Sequence, residues 1–204
     1  MQPAKQKRSQ ERVEKILAVA DQILCSGSIS DITIANVSKV SELKRTSTYK
    51  FFETPDEIKM ALIEKYLDAC SLHLSNNLSS KVSSEYQQCI MDCCEIIHEF
   101  FRNQSGAKKL ILENTISPPV PSKEMRKVSV KIQKHLEKNL TLPSMFNKEG
   151  VFLVVTQIIF AVLSLDVKET SDLTQVGLNE AARSSHAYLL SLSLIHISEP
   201  TRPY

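Results

Sequence analysis

The sequence predicts an all-α chain, and three observations carry that expectation. Apolar residues recur at helical spacing through most of the 204 residues, only four glycines occur, and tryptophan is absent. Leu, Ile, Val, Lys and Glu dominate, a composition that suits helices better than a turn-rich sandwich. With 42% hydrophobic residues the chain has material for one sizeable core or two small ones. The formal charge of +2 is too small to announce a polyanion partner, so any such argument rests on where the cations lie.

The first helix is predicted from Ser9 as N-cap, with Val13, Ile16, Leu17, Ala20, Ile23 and Leu24 on its apolar face and Gly27 at its end. Thr33 is placed to cap a short second helix that turns Ile34 and Val37 inward and Lys39 outward. The segment Ser41-Glu42-Leu43 interrupts the pattern, and a third short helix follows from Lys44 to about Lys50. Thr54, Pro55 and Glu57 form a capping box with proline at the first helical position. A long fourth helix therefore starts there and runs to about Ser75, with Ile58, Leu62, Tyr66 and Leu67 as its buried stripe.

Two short helices joined by a tight turn, behind a longer one, make the layout of a helix-turn-helix. Its second helix lies in LKRTSTYKFF, residues 43–52, where cations, hydroxyls and aromatics gather without an acid. Cations and hydroxyls are the side chains that bind phosphate oxygens and base edges. Leu43, Thr48 and Phe52 are expected to point back and hold this helix, which is too short to persist alone. Lys5, Lys7 and Arg8 could add a basic arm.

At this point the stretch ITIANVSKVSELKRTSTYKFFETPDEI resembles the N-terminal domain of the TetR/AcrR family of transcriptional repressors, over about residues 9–68. The resemblance implies a homodimer on double-stranded operator DNA, with a helix-turn-helix domain (1–53) and a helical domain (54–191) that binds a small-molecule effector and dimerises, about nine helices in all. By the same resemblance Thr33 contacts phosphate, Lys44, Arg45, Thr46 and Ser47 contact bases or phosphates, and Tyr49 and Lys50 contact phosphates. Phe52 matches the family's buried aromatic. Three residues depart from the pattern. Glu42 stands where a turn glycine is usual, Thr46 replaces a common glycine in the reading helix, and Pro55 takes the place of a phosphate-binding lysine; the alternative that Glu42 and Pro55 leave open is a helical ligand-binding module with impaired DNA binding.

The remainder is less specific. Tyr86, Ile90, Cys93, Ile97 and Phe100 mark a fifth helix, and a short sixth covers Ala107 to about Thr115. SPPVPS reads as a loop. From Glu124 to Leu140 an amphipathic helix turns Met125, Val128, Ile132 and Leu136 inward and Arg126, Lys127, Lys131, Lys134 and Lys138 to solvent, usually a hydrated face, with an anionic effector as the minority reading. The apolar run Val151–Leu165 is shorter than the ~20 residues a membrane span needs and reads as a buried helix. A ninth helix begins near Leu173. Its small residues Gly177, Ala181 and Ser185 stand at four-residue steps, and together with the eighth helix it reads as dimer material, with intramolecular packing as the alternative.

The cluster Cys89, Cys93, Cys94 and His98 has i, i+4 spacing, which could serve a thiol- or metal-responsive regulator. Buried free cysteine is the commoner meaning, and five cysteines without framework spacing fit free thiols in a reducing compartment. MQPAKQKRSQ lacks the apolar segment of a secretory signal, so a cytoplasmic location is expected. No nucleophile–base pair, phosphate loop or paired-carboxylate motif stands out, so neither catalysis nor a cofactor is expected. LSLIHISEPTR, residues 192–202, resembles the conceptual translation of a transposase adapter used in DNA sequencing. Residues 192–204 are therefore read as a non-native tail, and His196, Pro200 and Arg202 are set aside.

Overall fold

The computed structural model describes residues 3–114 and 118–195, and these residues are helical with short connections. The helices are α1 (Pro3–Ser26), α2 (Ile34–Val40), α3 (Arg45–Thr48), α4 (Pro55–Leu78), α5 (Tyr86–Asn103), α6 (Ser105–Ala107), α7 (Ser122–Asn139), α8 (Lys148–Thr170) and α9 (Gln175–Ile195). A 3-10 turn, Ile29–Asp31, precedes α2, and α6 passes directly into a π-helical segment, Lys108–Glu113. No strand occurs among the described residues.

The chain forms two compact units. The first comprises residues up to Tyr66 together with Gln104–Val120, and the second Leu67–Asn103 with the chain from Pro121 onward. The contact boundary thus falls inside α4. The sequence-based division after residue 53 follows the capping box instead, a local signal that carries no information about which distant segments join each unit.

In the first unit α1 packs against α2 and α6, and α2 against α3. Its core includes Ile16, Ala20, Ile23 and Leu24 of α1, Val37 of α2, Phe52, and Ile58, Leu62 and Ile63 of α4, all buried. Ser9 is not a cap: it lies inside α1, because the preceding AKQKR residues are themselves good helix formers and extend the helix back to Pro3. At the other end, the Gly27 amide donates to the Ile23 carbonyl at 2.8 Å. Lys109 from the π-helical segment completes this C-terminus, its Nζ donating to the carbonyls of Leu24, Cys25 and Gly27 at 2.9, 3.2 and 2.7 Å. An ammonium at the negative end of a helix dipole satisfies carbonyls that have no intrahelical partner. The Tyr66 hydroxyl donates to Asp21, and Gly106 lies so close that an added Cβ would sit 2.6 Å from Asp21 Oδ1.

Helix α4 starts as its sequence indicates, with the Glu57 amide donating to Thr54 Oγ1 at 3.3 Å. The Glu57 carboxylate reaches one residue further back than the usual box, accepting from the Glu53 amide at 2.7 Å. In the second unit, α5 packs against α7 and α9, and α8 against α7 and α9. Phe101 meets Phe160 edge-to-face with centroids 5.3 Å apart. Met125, Val128, Ile132 and Leu136 are buried as the α7 periodicity requires.

Helix α8 is longer than its apolar run, 23 residues, and by length and composition it could cross a membrane. A core helix passes the same test, and α8 buries Phe152, Val155, Thr156, Ile159, Phe160, Leu163 and Val167. The α9 stripe is spent within the subunit: Gly177 has room only for hydrogen beside Asp166 of α8, and Ala181 and Ser185 are fully buried. The surfaces α8 and α9 leave open carry other apolar residues, namely Val154, Leu165, Val176 and Leu190. His196, Pro200 and Arg202 lie outside the described residues.

Candidate nucleic-acid interface

The turn between α2 and α3 is built around Glu42, whose φ of 58° places it in the left-handed region. This is where a glycine would carry no steric penalty, and a residue with a side chain gives up about 1–2 kcal/mol. The geometry closes α2 with hydrogen bonds from the Ser41 amide to the Val37 carbonyl at 2.9 Å and from the Leu43 amide to the Ser38 carbonyl at 3.1 Å. Thr33 caps the other end of α2, its Oγ1 accepting from the Asn36 amide at 3.1 Å. The chain reverses cleanly on both sides of a helix of seven residues.

Helix α3 is a single turn, shorter than the stretch from Lys44 to Lys50 read from sequence, and Lys44 is its N-cap. Residues 49–51 continue as a turn in which the amides of Phe51 and Phe52 both donate to the Thr48 carbonyl at 3.0 Å. What fixes α3 is a buried polar contact: Ser38 Oγ of α2 donates to Thr48 Oγ1 at 2.9 Å, with both residues out of solvent. Thr48 and Phe52 are buried as expected, and Leu43 is half-buried. Ser38 was not singled out in the sequence, since a serine on the inner face of a short helix looks like any other.

With that backing, the remaining side chains of the segment face outward. Lys44, Arg45, Thr46 and Lys50 are exposed, Ser47 is half-buried, and Tyr49 is 53% exposed. Thr33 and Lys39 are exposed on the α2 side. A surface groove between the two helices is lined by Thr33, Ala35, Asn36, Ser38, Lys39, Leu43 and Arg45, which brings Thr33 and Arg45 to one concavity. Among the described residues, no acid pairs with Lys39, Lys44, Arg45 or Lys50. Four unneutralised cations and several hydroxyls thus project from a rigid support, the arrangement that phosphate oxygens and base edges require.

Other residues of the region resolve differently. Phe51 is half-buried and lines a cleft with Ser9, Gln10, Val13 and Glu14 of α1. Lys59, which lies one turn beyond the proline at 55, pairs with Asp56 at 2.9 Å. Lys7 and Arg8 are exposed on the first turns of α1.

The cysteine cluster sits in the core of the second unit. Cys89, Cys93 and Cys94 are buried, and burial pushes each thiol above its ordinary pKa. His98 is also buried, and desolvation holds its pKa below the usual imidazole range. Among the described residues no three metal-ligating side chains come together. Nucleophilic, redox-sensing thiols need the opposite setting, an exposed and electropositive one.

No protein-family model matches the sequence, and no curated protein resembles it. Solved structures do. A TetR-family transcriptional regulator from Streptomyces coelicolor aligns with a TM-score of 0.66 at 16% identity, over 88% of this chain and 98% of that one. A TetR transcriptional regulator from Rhodococcus sp. RHA1 gives 0.59 at 12% identity over 92% and 98%. The TetR family repressor AlkX from Dietzia, implicated in biodegradation of n-alkanes, gives 0.54 at 12% over 88% and 94%. At such identities the likeness is one of architecture, and the architecture of this chain is that of the TetR-family regulators.

Proposed function

We propose that the protein is a sequence-specific, DNA-binding transcriptional repressor without enzymatic activity. The observation that carries this reading is the outward face of α2–α3: Lys39, Lys44, Arg45 and Lys50 are unpaired among the described residues, on two short helices and their flanking turns joined from behind by the Ser38–Thr48 bond. Lys44, Arg45, Thr46 and Ser47 read base edges and phosphates, while Thr33, Tyr49 and Lys50 fix the register on the backbone. Residues 1–53 carry the reading head, and residues 54–191 bind a small-molecule effector and a second subunit in the cytoplasm. The exposed apolar residues on α8 and α9 support a homodimer, which would set two reading heads about 34–36 Å apart on a palindromic operator.

Effector and operator are coupled in this reading, so each weakens the other by the same factor. The test is binding to duplex DNA from upstream of the protein's own gene as a function of salt. Affinity should fall steeply with salt, and a Lys44→Gln, Arg45→Gln pair should reduce the log–log slope by about 2 per reading head. Binding that is absent, or whose slope is untouched by the pair, would reject the reading. A thiol- or metal-responsive switch through Cys89, Cys93, Cys94 and His98 is the second reading. The burial of all four side chains counts against it.

A further inference from the structure

Away from the helix-turn-helix, the second unit holds a cleft of about 200 Å³ between the end of α4 and one face of α7. Ser75, Leu78 and Ser79 line one wall, and Lys131, Lys134, His135 and Lys138 the other. Positions 131, 134 and 138 share a helix face, so three lysines border a space whose lining includes no carboxylate.

The ordinary reason for lysines near a helix C-terminus is to neutralise its free carbonyls, and here one lysine does so: Lys138 Nζ donates to the Ser79 carbonyl at 2.9 Å. The nearby acids are occupied as well. Asp92 takes Lys81 at 3.3 Å and Gln88 at 3.1 Å, and Glu137 takes Lys148 and Gln133, each at 3.1 Å. Lys131 and Lys134 make no hydrogen bond or ion pair among the described residues, although the charge of Lys134 acts on Glu137, whose carboxylate Lys148 and Gln133 already hold.

The floor is His135, only 4% exposed. Its Nδ1 lies 3.3 Å from the Asn139 amide nitrogen, while Nε2 makes no hydrogen bond and stands 3.9 Å from Asp92 Oδ2. Burial holds this imidazole below its ordinary pKa; the Asp92 carboxylate opposes that shift, and the charges of Lys138 and Lys81 add to it. Two lysines without a bonded acid, beside a concave wall that carries the hydroxyls of Ser75 and Ser79, are the side chains an entering anion needs.

We propose that this cleft binds a small oxyanion, a phosphate or a short carboxylate, between Lys131 and Lys134, with Leu78 and the lysine stems against whatever carbon it carries. Lysine binds such groups as a compact point charge. The volume is below the roughly 300–1,000 Å³ of sites for drug-sized ligands, which limits the occupant to a few heavy atoms. The proposal does not depend on DNA binding, because it is tested on the protein alone.

Calorimetric titration of the full chain with inorganic phosphate and with succinate, each at constant ionic strength made up with chloride, reads it directly. At least one of the two anions should bind saturably at one site per chain, and whichever does identifies the source of the oxyanion. The Lys131→Gln, Lys134→Gln pair should weaken it by about tenfold or more, while Lys168→Gln on α8 leaves it unchanged. Circular dichroism of the variants confirms that they are folded. Heats that match the chloride control, fail to saturate, or persist undiminished in the paired variant would overturn the proposal. Loss of operator binding in other experiments would not affect it.

Discussion

Replacing Glu42 by glycine should stabilise the protein. The residue sits at φ 58°, where a side chain costs about 1–2 kcal/mol relative to the right-handed region. Glycine removes that cost but adds freedom to the unfolded chain worth about 0.5–1 kcal/mol in the other direction. The net gain is therefore about 0–1.5 kcal/mol, and its midpoint of ~0.75 kcal/mol raises the melting temperature of a chain of this size by roughly 1.5–3 °C. Glu42→Gln and Glu42→Ala keep a Cβ at the same backbone angle and should give no such gain. Glu42→Asn should fall between them, because asparagine tolerates the left-handed region better than most residues. Denaturant midpoints at constant m-value provide the assay. If alanine stabilises as much as glycine, backbone strain is not what Glu42 costs. If glutamine does so, the carboxylate charge is responsible instead.

Four further outcomes follow from contacts already described. Ser38→Ala removes the donor to Thr48 in a buried setting and should destabilise the first unit by about 1–3 kcal/mol, measured by chemical denaturation. Lys109→Met should cost about 1–2 kcal/mol by leaving three carbonyls at the end of α1 uncapped, and hydrogen exchange at the last turn of α1 should accelerate. His98 and His135 both have folded-state pKa values below the ordinary 6.5, chiefly through burial. As pH falls through 6.5 the unfolded chain takes up protons that the folded chain declines, so stability should decline from there toward pH 5, and His135→Gln should flatten that slope. Under native conditions iodoacetamide should alkylate Cys25, the exposed cysteine, and reach Cys70, Cys89, Cys93 and Cys94 only on unfolding. Rapid native labelling at Cys93 would instead revive the thiol-responsive reading.

Much of the fold could be read from the sequence wherever local rules set it. The α7 face of Met125, Val128, Ile132 and Leu136 follows from a period of 3.6, and Thr33, Thr54 and Glu57 announce their helices through side chains that bond the backbone nearby. Glu42 was marked only through the resemblance to a family that usually has a glycine there, and its φ of 58° is the conformation that glycine would take without strain. Contacts between distant residues left no such mark. Nothing near Lys109 indicates that its ammonium closes a helix more than eighty positions earlier, and nothing near Ser38 names Thr48 as its partner. Ser9 misled because a serine inside a helix and one at its cap look alike when good helix formers stand on both sides. The Gly177, Ala181 and Ser185 stripe does specify a close approach, but spacing alone cannot say whether the approaching helix belongs to the same chain. Here Asp166 of α8 fills that place at Gly177, and Ala181 and Ser185 are buried within the subunit.

The lysine at the end of α1 also has a meaning in time. During synthesis the residues that form α1 to α3 emerge early, yet the group that completes α1, and the glycine that admits Tyr66 beside Asp21, belong to a segment made some forty residues after Tyr66. Until the chain through about residue 120 has left the ribosome, the first unit lacks part of its own interior. The unit is therefore expected to complete its folding around a piece that arrives late rather than as an autonomous N-terminal module. A fragment ending at Tyr66 should accordingly be far less stable than its share of the intact structure suggests, and adding residues 104–120 in trans should restore part of that loss.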